Sequence, residues 1–192
     1  QNFTLESQIF FGEKLVASLV TPATASANSS TTLVQNINVT RPERWSTESP
    51  ALYTVRQRIR VGNAVIDETA TTFGIRSMRF DANAGFFLNE QPVKLKGVCL
   101  HHDAGSVGAA VPDQVLARRL RLLRDLGVNA VRTSHNPPAP ELLDLCDRLG
   151  RLVQDEAFDE FTPTKKKWGE GWNVGEPGKY GYGESFAEWS VR

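Results

Sequence analysis

Along the first eighty residues, apolar and polar positions tend to alternate over short stretches. Phe3 to Phe11, Lys14 to Val20, Thr31 to Val39, Leu52 to Val61 and Val65 to Gly74 are rich in Val, Ile, Thr, Phe and Tyr. A period of two suits a pleated strand with one face buried. Turn signals separate the stretches: Phe11-Gly12-Glu13-Lys14, Pro22 through Ser30, Arg41-Pro42, Ser49-Pro50 and Gly62-Asn63. Short strands at this spacing predict an antiparallel, immunoglobulin-like β-sandwich over residues 1–80. No Cys…Trp…Cys frame accompanies them, so an antibody-type domain is excluded. Trp45 is expected to pack inside this domain rather than bind a ligand.

The pattern changes near Asp81. Phe86 to Val93 reads as a tight hairpin, and Lys94 to Leu100 as a short apolar strand. A glycine-rich loop follows from His102 to Val111. Pro112-Asp113 then opens a helix, with proline suited to its first turn. Val115, Leu116, Leu120, Leu123 and Leu126 recur at helical spacing, and Gly127 ends that helix. Val128 to Thr133 is the next strand. Pro137, Pro138 and Pro140 interrupt the chain before a second helix, whose apolar face carries Leu142, Leu143, Leu145, Cys146 and Leu149 before Gly150. Arg151 to Gln154 is a third strand. Strand-helix-strand-helix-strand with short loops predicts a parallel sheet with right-handed crossovers. After Phe161 the chain turns polar, glycine-rich and aromatic through Gly183, which reads as a long loop. Glu184 to Arg192 reads as the start of a helix.

Composition narrows the function classes. Of 192 residues, 40% are hydrophobic and 23% charged, with 22 Lys+Arg against 22 Asp+Glu. That balance gives no basic footprint for nucleic acid. No apolar run reaches the length of a membrane span. The composition suits cytoplasm, periplasm or secretion alike. Cys99 and Cys146 lie among apolar neighbours and read as buried free thiols. With three histidines and no CxxC pair, a structural zinc site is not expected.

The candidate chemistry lies at the ends of the three parallel strands. The first ends in His101-His102-Asp103, the second in Arg132-Thr133-Ser134-His135-Asn136, and the third in Asp155-Glu156, with Asp159-Glu160 just beyond. In a parallel array these ends share one edge, where ligands bind. All three histidines fall there. His101 and His135 are expected to line the site; for His102, lining and structural roles are both open. Histidine, arginine, asparagine and carboxylates supply the mixture of donors and acceptors that sugar hydroxyls require. No Walker or Rossmann glycine pattern and no Gly-x-Ser-x-Gly elbow is present. A metal site from two histidines and carboxylates would need those groups to converge.

Read in order, the pieces resemble glycoside hydrolase family 2, the group of β-galactosidases, β-glucuronidases and β-mannosidases. The resemblance runs through Trp45-Ser46, Pro50 to Tyr53, Phe73-Gly74-Ile75-Arg76, Phe87 to Val98, His101-His102-Asp103, Asn129 to Pro137, Leu145-Cys146-Asp147 and Asp155-Glu156. It implies an immunoglobulin-like sandwich leading directly into a TIM barrel. Residues 81–192 would then be the N-terminal portion of the catalytic domain, with its first three β/α units. It implies roles too. His101 resembles a histidine lining the sugar subsite, and His135 one that contacts sugar hydroxyls. Arg132 resembles the arginine that orients the nucleophilic carboxylate, while Asp155 and Glu156 support the site. Some β-galactosidases hold magnesium through a glutamate and a histidine two residues apart. Glu160 matches that glutamate, but Thr162 replaces the histidine, so no cofactor is expected.

Family members hydrolyse β-glycosides with retention, using two carboxyl groups about 5 Å apart. The resemblance places the acid/base after an Asn-Glu pair beyond strand four and the nucleophile later still. No Asn-Glu pair follows the third strand here; Asn89-Glu90 belongs to the hairpin. The chain is therefore expected to be a catalytically inert piece of a β-glycosidase, with β-galactosidase the first choice and β-glucuronidase or β-mannosidase the alternatives. An incomplete barrel exposes an edge and an apolar face, so a second copy or the remainder of the barrel is expected to cover it. The rival reading is a non-catalytic carbohydrate-binding or structural module. For Trp168 and Trp172, sugar stacking and simple packing are both open.

Overall fold

The computed structural model describes residues 1–157 and residue 188. Contacts divide the chain into two compact units. The first comprises residues 1–94 with 147–150; the second comprises 95–146 with 151–192. The expected boundary at Asp81 follows the change of sequence pattern, whereas the contact-defined boundary falls after Lys94.

In the first unit, β1 (Asn2–Phe11), β2 (Lys14–Thr24), β3 (Tyr53–Val61) and β4 (Ala64–Phe73) form one antiparallel sheet in the order β2-β1-β3-β4. The predicted strand at Thr31 to Val39 does not form. Its alternation is nevertheless real: Leu33, Gln35, Ile37 and Val39 are half-buried and the residues between them exposed. A strand is defined by its ladder of backbone hydrogen bonds, and this segment has no partner strand among the described residues. The Gln35 side chain instead ties it to the sheet. Its Oε1 accepts from Ser7 Oγ at 2.5 Å, and its Nε2 donates to the Leu5 carbonyl at 3.2 Å and to Thr21 Oγ1 at 2.9 Å. β4 also departs from a half-buried pattern, since all its residues but Phe73 are exposed, Val65 and Ile66 included.

A second antiparallel sheet, β5 (Met78–Asp81), β6 (Gly85–Leu88) and β7 (Gln91–Pro92), completes the unit. Its predicted hairpin turns at Asn89-Glu90, both with positive φ, as a two-residue turn matched to strand twist requires. Trp45 packs inside as expected, 1% exposed. Its indole Nε1 donates to the Asp147 carbonyl at 2.8 Å, and the Arg76 guanidinium lies 4.6 Å from its ring centroid.

The second unit is built on a parallel sheet in the order β10-β9-β8, from β8 (Gly97–His101), β9 (Ala130–Ser134) and β10 (Leu152–Gln154). Helix α1 (Asp113–Asp125) links β8 to β9, and α2 (Pro140–Leu149) lies between β9 and β10. Pro112 caps α1 from outside the first turn, with extended backbone. The helix buries Leu116, Ala117 and Leu120, while Val115 and Leu126 are exposed, against expectation. They lie at the two ends of the helix, outside the stripe that Leu116 and Leu120 set one turn apart. Leu142 and Cys146 of α2 are buried and Leu143, Leu145 and Leu149 half-buried, as predicted. Asn129 fixes the start of the sheet: its side-chain Oδ1 accepts from the Lys96 N–H at 2.8 Å, and its N–H donates to the Lys96 carbonyl at 3.0 Å.

Candidate active site

Parallel register decides which side chains meet. Cys99 pairs with Arg132 and His101 with Ser134, and Arg132 also stands opposite Gln154. Successive side chains of a strand alternate faces, so Cys99, His101, Arg132 and Ser134 project from one face of the sheet. Val98, Leu100, Val131 and Thr133 project from the other.

Glu156, just past β10, gathers the edge together. Its Oε1 accepts from Arg132 Nε at 2.7 Å and also from Arg132 Nη2; its Oε2 lies 2.9 Å from His135 Nδ1. The His135 ring meets the His101 ring edge to face, with centroids 5.5 Å apart. Burial would raise the Glu156 carboxyl pKa, but the Arg132 guanidinium and the His135 ring outweigh it and hold the group below the usual carboxylate range. The same contact strengthens the positive form of Arg132. The Ser134–His135 peptide is cis.

Thr133, 3% exposed, supports the edge from the other face. Its Oγ1 donates to Asp155 Oδ1 at 3.0 Å and accepts from the Glu156 N–H at 3.1 Å. Asp155 therefore braces the loop, while Glu156 reaches the cluster. His102 and Asn136 join His101 around a cavity of about 220 Å³ whose apolar wall includes Leu116 and Leu142. Asp103 contributes its carbonyl, which accepts from Arg119 Nη2 at 2.7 Å.

Cys99 overturns an expectation. It is exposed, not buried among apolar neighbours, because it shares the face of Arg132 rather than that of Val98 and Leu100. Arg132 Nη1 lies 3.6 Å from its sulfur. The Ser134 hydroxyl, buried and outside hydrogen-bond geometry with any partner among the described residues, sits close enough to lower the thiol pKa, and Arg132 adds to that effect. Cys146 is buried as predicted. Trp168, Trp172, Asp159, Glu160 and Thr162 lie outside the described residues. Among the described residues, no three His, Cys, Asp or Glu side chains are grouped to hold a metal ion, and no helix is long and apolar enough to cross a membrane.

The comparison with known sequences matches both halves. The family model for glycosyl hydrolases family 2 covers residues 1–76, and that for the family 2 TIM barrel domain covers residues 81–179. The chain belongs to glycoside hydrolase family 2. Among family 2 relatives, a β-galactosidase of Bacteroides ovatus is 39% identical over 193 residues, covering 100% of this chain and 21% of its own length. A β-glucuronidase of Bacteroides fragilis is 35% identical over 119 residues, covering 62% of this chain and 17% of its own. A family 2 crystal structure from Bacteroides cellulosilyticus superposes with a TM-score of 0.82 at 40% identity, over 88% of this chain and 22% of that one. This chain thus spans about a fifth of the length of such relatives. Family 2 membership accounts for the order of motifs read from the sequence. Thr133 and Cys99 were missed as parts of the site; their signal was strand alternation, with Cys99 two residues before His101 and Thr133 next to Arg132.

Proposed function

We propose that this chain supplies part of the sugar-binding edge of a retaining β-glycosidase, with a β-galactoside as substrate. The observation that carries the reading is the convergence of His101, Arg132, His135 and Glu156 at the carboxyl ends of three parallel strands. His101 lines the sugar subsite, His135 contacts a sugar hydroxyl, and Arg132 orients the nucleophilic carboxylate. A neutral sugar suits this edge, because the Arg132 charge is already paired with Glu156 rather than spare for a substrate carboxylate. A β-glucuronide is the second reading, favoured by the β-glucuronidases among the relatives. The two carboxyl groups of the retaining mechanism come from outside this chain, which by itself is inert. With Thr162 in place of a nitrogen ligand beside Glu160, catalysis depends on no metal ion held at that pair.

For the first unit we propose an immunoglobulin-like sandwich leading into the barrel. Support comes from residues 31–39, which alternate in burial and are held across β1 and β2 by Gln35.

The test is hydrolysis of 4-nitrophenyl β-galactoside and β-glucuronide by the native protein of determined intact mass and by the 192-residue chain. A larger native protein active on the galactoside, beside an inert chain, is the expected result. A 192-residue native protein that cleaves either glycoside would overturn the assignment of the carboxyl groups.

A further inference from the structure

A carboxylate between an arginine and a histidine does more than neutralise charge. Ionised, Glu156 has lone pairs only, and pKa depression keeps it ionised at neutral pH. Arg132 has donors only. At 2.9 Å from Glu156 Oε2, His135 Nδ1 is within hydrogen-bond distance, and an acceptor-only oxygen requires the proton to be on that nitrogen. The approach of Arg132 Nη2 to the same Nδ1, at 3.5 Å, is longer and sets two donors side by side rather than forming a good bond. Which ring nitrogen of a neutral histidine carries the proton is set by the bond the other nitrogen makes.

We propose that Glu156 is a positioning residue that locks His135 as the Nδ1–H tautomer, leaving Nε2 as a lone-pair acceptor for a donor on the ligand. This deepens, and rests on, the reading of His135 as a contact to a sugar hydroxyl. A sugar hydroxyl both donates and accepts. At this histidine it must donate, so the bound hydroxyl's own lone pairs stay free for other donors at the site. Arg132 serves the lock from the second carboxylate oxygen, holding Glu156 in place without competing for Oε2. The hydrogen-bond contacts that His135 makes with Arg132 and with Glu156 are both at Nδ1.

The test reads the tautomer directly and needs no substrate. Imidazole nitrogen chemical shifts are recorded on the ¹⁵N-histidine-labelled chain at about pH 8, above the ordinary histidine pKa of about 6.5. His135 is assigned by difference from His135→Gln. The wild-type ring is expected to show a protonated Nδ1 and a bare Nε2. Glu156→Gln keeps the shape but offers one accepting oxygen and one donating NH2. Arg132 claims the oxygen, the NH2 faces Nδ1, and the proton moves to Nε2. The expected result is therefore an inverted pattern of the two shifts in a chain that still folds, which a merely structural contact would not produce. A wild-type proton on Nε2, or an Nδ1–H that survives Glu156→Gln, overturns the proposal. Should the variant fail to fold, the wild-type spectrum alone decides. If the tautomer behaves as stated while the native protein cleaves no β-glycoside, the positioning role stands and the glycosidase reading fails by itself.

Discussion

Glu156 accepts from Arg132 Nε at 2.7 Å, tying the loop after β10 to the middle of β9. The carboxylate and the guanidinium come from segments joined in sequence only through α2, and the parallel register of β9 and β10 brings them together. Because both groups are partly exposed, the pair matters more for placement than for stability.

The first prediction concerns the titration of that carboxylate. Against the penalty of its burial, Arg132 and His135 depress its pKa. A carboxyl whose folded pKa lies below its unfolded value stabilises the fold above the unfolded value, and that contribution is lost as pH falls through the folded one. The relevant window is below about pH 4.3, the ordinary glutamate value. Carbon-detected NMR titration should place Glu156 below that value, and Arg132→Met should move it upward. An unmoved Glu156 in the variant would show that the ion pair is not formed in solution.

Cys99 should be the reactive thiol of the pair. The Ser134 hydroxyl and the Arg132 guanidinium lower its pKa, and it is exposed, whereas Cys146 is buried. Iodoacetamide at neutral pH is expected to alkylate Cys99 first, by peptide mass mapping. Arg132→Met should slow that reaction. Equal labelling of the two cysteines in the folded chain would contradict the burial assignment.

Gly150 and Gly127 separate conformational strain from collision. Both have positive φ, +68° and +84°, which a Cβ tolerates poorly. At Gly127 an added Cβ meets nothing within 4 Å; at Gly150 it would collide with the Thr47 carbonyl oxygen. Gly127→Ala should cost about 1 kcal/mol. Gly150→Ala should cost clearly more, since backbone must shift. Urea unfolding midpoints of the two variants check the order, and equal midpoints would refute the close approach.

Trp45→Phe tests the anchor of the first unit. The change removes the indole donor to the Asp147 carbonyl and leaves that oxygen without this bond. Loss of one such hydrogen bond costs about 0.5–1.5 kcal/mol, besides the volume lost from a ring that is 1% exposed. A melting temperature within a degree of wild type would show that the bond is dispensable.

Thr133→Val keeps the shape and removes the hydroxyl that donates to Asp155 and accepts from the Glu156 N–H. The expected loss is about 1–2 kcal/mol, with faster amide exchange at Glu156. Exchange at wild-type rate would mean that the Arg132 contact alone holds the loop.

Local pattern made much of this architecture legible in the chain itself. Alternation at Phe3 to Phe11, and the spacing of Leu116 with Leu120 and of Leu142 with Cys146, encode elements whose buried stripe repeats at the period of the structure. The same reading placed His101, Arg132, His135 and Glu156 at strand ends, because βα order dictates that parallel strands end on a common edge. Thr31 to Val39 shows where pattern stops being sufficient: it alternates as a strand should, yet a strand exists only when another backbone completes its ladder. Cys99 shows the same limit for a single side chain. Its neighbours are apolar in sequence, but which face of β8 it takes depends on strand phase, and what it meets there on the register with β9. The bond from Glu156 to Arg132 and the proximity of His101 to His135 likewise belong to tertiary structure. Composition and periodicity determine which residues lie on an edge, because they act over a few neighbours. Only the pairing of distant strands decides which of those residues touch, because hydrogen bonds form over about 3 Å.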